Sequence, residues 1–178
     1  HWLHRMDDDR VSNFILHAGF NTIDGERLKI VFVPCYLDGR DGIFDTPYYD
    51  LLIGMDATLY PSYYEPWGYT PLESVAFGIP TVTTDLAGFG RWAQTVVSGR
   101  DITEGVAVVH RTDDNYAAVV DESADALLTL MRRSDADRRT IAARCQSLAA
   151  RAEWKRFITY YYTAFDHALT AAAHRADA

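Results

Sequence analysis

A short apolar run, Ala57 to Tyr60, leads directly into a loop holding Pro61, Pro66, Trp67 and Gly68, and then into a helix start. The run reads as a buried strand. Thr70-Pro71-Leu72-Glu73 reads as a helix N-terminus, with Thr70 as cap, Pro71 at the first helical position and Glu73 completing a capping box. Strand, tight loop and helix in immediate succession leave few folds open. The unpaired N–H groups and positive end of such a helix face the loop and make an anion site, for which a nucleotide pyrophosphate is the expected occupant. The capping box by itself accounts for Glu73 without any ligand. Glu65, eight positions earlier, is different. It precedes a proline, which biases its backbone to extended conformations. Tyr63, Tyr64, Trp67 and Tyr69 crowd it. A carboxylate in such company is held by a partner or has chemistry to perform.

Three further β-branched or apolar runs read as strands: Leu28 to Val33, Thr81 to Thr84, and Gly105 to Val109. Helical patterns cover Val11, Phe14, Ile15 and Ala18 behind an acidic start, then Tyr48 to Met55, Asn115 to Arg133, Asp135 to Ala152 and Trp154 to Ala173. The helix from Pro71 stops at Gly78, and Asp85 to Gly90 reads as a second glycine-bearing loop at the end of a strand. This alternation predicts an α/β fold, a Rossmann-like parallel sheet flanked by helices. Ligands gather at the carboxyl ends of the strands in such sheets. Four strands are fewer than a nucleotide domain of this kind carries, so a first strand or two is expected to precede this sequence.

A length of 178 residues suits one domain with a real core, and a net charge of −8 argues against nucleic acid or an anionic membrane as partner. No apolar run approaches the roughly 18 residues of a membrane span, and no signal-peptide pattern is present. Cys35 and Cys145 lack metal-ligand spacing, and Cys35 is expected as a buried apolar group at a strand end. Asp7, Asp8 and Asp9 diverge on a helix, so solvated N-terminal charge is preferred to a metal site.

The run from Tyr60 to Glu73 resembles the glycogen synthases shared by animals, fungi and some bacteria. The similarity continues through Gly78-Ile79-Pro80 and Asp85-Leu86-Ala87-Gly88-Phe89-Gly90. It reaches back to Leu28–Leu37 and forward to Glu153-Trp154-Lys155 and the tyrosine-rich helix, nearly the whole chain. The resemblance implies a retaining glycosyltransferase of the two-Rossmann-domain (GT-B) type, transferring glucose from a nucleotide sugar to the non-reducing end of an α-1,4-glucan. Residues 1–178 are then its C-terminal, donor-binding domain, 153–175 the aromatic C-terminal helix, and the N-terminal acceptor domain lies outside this chain.

The same resemblance implies Glu65 as the catalytic glutamate beside the transferring glucose and Glu73 as a contact to the nucleotide ribose. Trp67 and Gly68 match donor-contacting positions, the backbone of Tyr69 and Thr70 meets the distal phosphate, and Tyr48 stacks on the base. These roles agree with the chemistry: a departing nucleoside diphosphate gathers negative charge that helix N–H groups stabilise, while a carboxylate stabilises the oxocarbenium-like sugar. UDP-glucose is favoured over ADP-glucose, with no metal or other cofactor, a cytoplasmic location and room for a homo-oligomer.

Two departures go with it. The family's arginine and lysine for the pyrophosphate lie before His1, so the chain alone is expected to be inactive. Among the arginines from Arg132 to Arg151, Arg138 and Arg144 coincide with the family's dense arginine helix, and ordinary helix-surface charge is the expectation for them. On the last helix, Trp154, Phe157, Tyr161 and Phe165 recur at helical spacing and are expected mostly in the core, with some exposed where the helix crosses to the missing domain. The alternative is a non-catalytic nucleotide- or glucan-binding module on the same fold.

Overall fold

The computed structural model describes residues 8–20, 27–97 and 101–176. By internal packing the chain divides into two units, residues 1–51 and 52–178. In the first, the carboxylate of Asp9 caps α1 (Arg10–His17), accepting from the N–H groups of Val11 at 2.9 Å and Ser12 at 3.0 Å. The expected strand over Leu28 to Val33 does not form, and Cys35, expected buried at its end, is half-buried. A β-branched run states a readiness to be covered; a parallel strand exists only through its ladder. A loop follows in which the Asp41 carboxylate accepts from the N–H groups of Ile43 and Phe44 at 2.9 and 2.8 Å. It leads to α2 (Tyr48–Leu52), which stops short of the Met55 expected from sequence.

The second unit holds a parallel sheet of three strands, β1 (Thr58–Leu59), β2 (Thr81–Thr84) and β3 (Val106–Val109), in the order β1-β2-β3. Thr58 is level with Thr81, and Thr81 with Val106, so the carboxyl ends of all three strands lie on one edge. α3 (Tyr69–Ala76) connects β1 to β2 and packs on both; α4 (Gly88–Val96) connects β2 to β3 and packs on both. α5 (Tyr116–Met131) lies on β3, α6 (Asp135–Ala149) on α3, and α7 (Trp154–Ala176) ends the described chain. The α/β reading thus holds, with three strands among the described residues rather than four.

The core is continuous. Val75 from α3, Val82, Phe89 and Ala93 from α4, Val106 to Val109, Val119 and Leu130 from α5, and Ile141, Cys145 and Leu148 from α6 are all buried together. Burial raises the Cys145 thiol to about 12, so at neutral pH it is an apolar filler. β2 is central, and its four β-branched residues are buried on both faces. α3 ends as the sequence suggests: Gly78 at φ 83° donates to Val75 O at 3.0 Å, and Ile79 donates to Ser74 O at 2.9 Å, the paired bonds of a Schellman cap. α6 begins with a capping box in which Ser134 and Asp137 satisfy each other's N–H groups.

α4 was not legible. Asp85 to Gly90 reads as a loop, yet the helix starts at Gly88. Gly88 and Gly90 score poorly as helix formers, but space demands them. A Cβ on Gly90 would stand 2.1 Å from Thr84 O, and one on Gly88 would stand 2.2 Å from Pro66 O. Close packing of the helix against strand and loop overrides local propensity. Of the aromatics on α7 expected in the core, Phe157 is half-buried while Trp154, Tyr161 and Phe165 are exposed. Arg138 pairs with Asp56 at 2.6 Å, and Arg144 with Glu104 at 3.1 Å and Thr103 O at 2.8 Å, ordinary surface tethers of α6.

β2 and β3 are sewn together past their ends. Asp85 N–H donates to Val109 O at 3.1 Å, while its carboxylate accepts from Arg111 N–H at 3.0 Å and meets His110 Nδ1 at 2.5 Å. Burial raises this carboxyl, but the hydrogen bonds from His110 and Arg111 and the charge of the imidazole outweigh it, holding Asp85 below the ordinary 3.8. Its stabilising contribution is therefore full above 3.8 and lost as pH falls through the lower native value. Urea unfolding of Asp85→Asn against the parent should show a stability gap at neutral pH that closes below pH about 4. Gly90→Ala should destabilise by about 1–3 kcal/mol, since helix and strand must part to admit the methyl group.

Candidate functional site

The loop between β1 and α3 lies on the carboxyl edge of the sheet, and neighbouring segments hold its backbone. Tyr60 N–H donates to Val82 O at 2.8 Å, extending the ladder past the end of β1. The Thr84 hydroxyl donates to Ser62 O at 2.7 Å. The guanidinium of Arg111 donates from Nη1 to Pro61 O at 2.6 Å and lies over the ring of Tyr63, with Cζ 3.5 Å from its centroid. The first amides of α4 donate to the far side of the loop, Gly88 to Glu65 O at 3.0 Å and Phe89 to Trp67 O at 2.5 Å. Glu65 is thereby extended and level with Ala87 in a parallel bridge, the conformation that a residue before proline favours.

The turn into α3 differs from the sequence expectation. Gly68, not Thr70, is the N-cap, with φ 99° and ψ 77°, and no side chain caps the helix. The left-handed region is open to glycine at little cost, so the chain turns one residue pair earlier and Tyr69 is already helical. Thr70 becomes the second helical residue and is exposed, and Glu73 sits in the second turn, half-buried. Pro71 is tolerated in the first turn because its missing N–H had no intrahelical acceptor to lose. The folded-back turn brings the Glu65 side chain against Gly68: a Cβ there would lie 3.3 Å from Glu65 Cγ. The amides of Tyr69 and Thr70 find no acceptor among the described residues. A carboxylate and open helix N–H groups thus share one turn, the charge pattern suited to separating a cationic and an anionic fragment.

Trp67 has a second engagement. Its ring packs edge-on to Phe89 and to Phe157, with centroids 6.1 and 5.3 Å away, and tilts against Trp92 at 5.9 Å. Such aromatic clusters add about 0.5–1.5 kcal/mol per pair beyond burial. Tyr48 belongs to the first unit, where its N–H donates to Leu37 O at 3.0 Å and its half-buried ring lies 5.3 Å from that of Tyr49. The structure therefore gathers Glu65, Trp67, Gly68, Tyr69, Thr70 and Glu73 on one strand-loop-helix segment and describes Tyr48 apart from them. Among the described residues there is no group of three or more side chains able to hold a metal ion. No helix among them is long and apolar enough to cross a membrane.

Sequence reasoning missed Thr84, Asp85, His110 and Arg111, which frame the loop. A signal was present: all four follow or end a strand on the edge where ligands gather. What it lacked was any indication that a residue fifty positions after Pro61 would reach back to it.

Comparison with known proteins agrees with this arrangement. The family model described as glycogen synthase matches residues 1–176. Glycogen [starch] synthase isoform 1 of Saccharomyces cerevisiae is 29% identical over 165 residues, covering 90% of this chain and 23% of its own length. The Caenorhabditis elegans glycogen [starch] synthase is 31% identical over 161 residues, covering 90% of this chain and 24% of its own. The liver glycogen [starch] synthase of Mus musculus is 29% identical over 161 residues, covering 89% and 23%. The chain thus spans about a quarter of the length of these relatives. A match that runs across both units, with the Glu65 loop seated on the strand and helix it requires, shows that this chain belongs to the glycogen synthase family.

Proposed function

We propose that this chain is the donor-binding part of a glycogen synthase, a retaining glycosyltransferase that moves glucose from a nucleoside diphosphate glucose to the non-reducing end of an α-1,4-glucan. The observation that carries the reading is the turn that sets Glu65 against Gly68 beside the open amides of Tyr69 and Thr70. In this reading the bond from the glucose C1 to the distal phosphate oxygen breaks, and its electron pair leaves with the phosphate. The amides of Tyr69 and Thr70 bind that oxyanion end, aided by the dipole of α3. Glu65 faces the oxocarbenium-like sugar and stabilises its positive charge without bonding to it. The 4-hydroxyl of the glucan attacks C1 from the side the phosphate leaves, and its proton passes to the departing phosphate oxygen. The reading calls for no metal or other cofactor.

Glu73, one turn further along α3, is assigned to the ribose, and Tyr48 to stacking on the base. The ring of Trp67 is taken up by Phe89, Trp92 and Phe157, and its carbonyl by Phe89. Its part in donor binding is therefore the shape of the turn, with Gly68 admitting the ligand closely. The acceptor glucan is assigned to residues outside this chain, and the protein to the cytoplasm.

In the complete enzyme, Glu65→Gln should lower kcat by about 100-fold or more while KM for the donor and the melting temperature hold, because a neutral amide keeps the shape and loses the charge. Near-normal turnover would remove Glu65 from this role. Calorimetric titration of the 178-residue chain with UDP and with ADP should show UDP binding more tightly. Tyr48→Ala should then weaken that binding by about 1–3 kcal/mol, the range of base stacking. Equal heats for the two nucleotides would count against the UDP preference, and an unaltered Kd in the variant against stacking at Tyr48.

A further inference from the structure

Arg111 is buried, with 6% of its surface exposed, and its side chain forms no ion pair among the described residues. Its Nη1 is spent on the carbonyl of Pro61, its face on the ring of Tyr63, and its buried Nε has no partner. Burying a guanidinium without a carboxylate is costly. An apolar side chain fills space at this depth without that cost, so packing alone does not explain an arginine here. What an apolar group cannot do is grip the loop in two directions at once. A planar guanidinium stacks on a ring through its face while donating in its own plane, which the point charge of a lysine does not reproduce.

The mount of Arg111 is rigid at every step. Its N–H is held by the Asp85 carboxylate at 3.0 Å, and the residue before it by Asn115, whose Nδ2 donates to His110 O at 2.9 Å. The residues it grips, Pro61 and Tyr63, are exposed on the loop, Tyr63 by 56%. Tyr64, the next residue before Glu65, is 79% exposed. Beyond Arg111, this stretch is held through its backbone, by the Thr84 hydroxyl to Ser62 O at 2.7 Å and by Gly88 N–H to Glu65 O at 3.0 Å, while the amide of Glu65 reaches Leu86 O only at 3.4 Å. We propose that Arg111 is a positioning residue for Glu65: anchored to the ends of β2 and β3, it clamps Pro61 and Tyr63 and so fixes where the Glu65 carboxylate stands relative to the start of α3. The proposal rests on the reading of Glu65 as the charge-stabilising carboxylate. It adds a residue that touches no substrate.

The test uses the complete enzyme. Arg111→Lys should lower kcat by about 10–100-fold with KM for the nucleotide sugar within about twofold of the parent, the pattern of a displaced catalytic group rather than a lost binding contact. Free guanidinium ion added to Arg111→Ala should restore part of the lost kcat, which a merely structural defect would not allow. Parent-like kcat in Arg111→Lys, alongside a dead Glu65→Gln, would overturn the clamp and leave the role of Glu65 standing. Parent-like kcat in Glu65→Gln would instead remove the reading beneath it. If the Arg111 variants fail to fold, Tyr63→Leu decides, because that exposed ring can be removed without opening the core. A native melting temperature with kcat reduced, and less reduced in Tyr63→Phe, supports the clamp; parent-like kcat in Tyr63→Leu overturns it.

Discussion

Two hydrogen bonds at the start of α4 hold the functional loop in place, Gly88 N–H to Glu65 O at 3.0 Å and Phe89 N–H to Trp67 O at 2.5 Å. They require the helix to come so near the loop that no side chain fits between, a Cβ on Gly88 falling 2.2 Å from Pro66 O. The free amides at this helix start are thereby consumed by the protein itself. α3, whose first residues stand at the other end of the same loop, keeps the amides of Tyr69 and Thr70 open among the described residues. Two helix N-termini meet one loop and divide the work. One holds the loop, and the other remains available to an anion.

Charge at the sheet edge follows the same division. The chain is acidic overall, at −8, yet its loop is flanked by a buried guanidinium and the positive end of a helix dipole. Asp85, which directly follows β2, does not offer its carboxylate to a ligand. Both of its oxygens are used, one by Arg111 N–H and one by His110. Its task is to fix the backbone from which Arg111 reaches outward. The aromatic cluster supplies the complementary apolar foothold: Trp67 leaves the loop to pack with Phe89, Trp92 and Phe157, so the residue after Pro66 is rooted in the core of the unit. The loop is therefore polar-anchored on the Pro61 side and apolar-anchored on the Trp67 side, with Glu65 between.

Much of this was legible in order along the chain. The strands over Thr81–Thr84 and Val106–Val109, the helices α5 to α7, the stop of α3 at Gly78 and the acidic opening of α1 are each announced by residues a few positions apart. β-branched runs, apolar periodicity and capping chemistry are local, and a sequence states them directly. Leu28–Val33 has the composition of a strand and runs without regular structure, while Gly88–Val96 opens with the composition of a loop and is a helix. At Gly88–Val96, close packing against β2 and the loop outweighed propensity. Thr70 was misread as a cap because a capping box and a left-handed glycine turn two residues earlier predict nearly the same helix, and backbone geometry chose Gly68.

The sequence by itself determined the family and the strand-loop-helix on which Glu65 and Glu73 are carried, because a long unbroken motif encodes its own local geometry. It also determined that this segment would end at the carboxyl edge of a parallel sheet. Only the tertiary structure decided which helix start would be spent on the loop and which left open, and that a cation from the end of β3 would grip Pro61 and Tyr63. The physical reason is range. Propensity and capping act within a turn or two of the chain, whereas a buried guanidinium finds its carbonyl and its ring only after the sheet has brought residues fifty positions apart together.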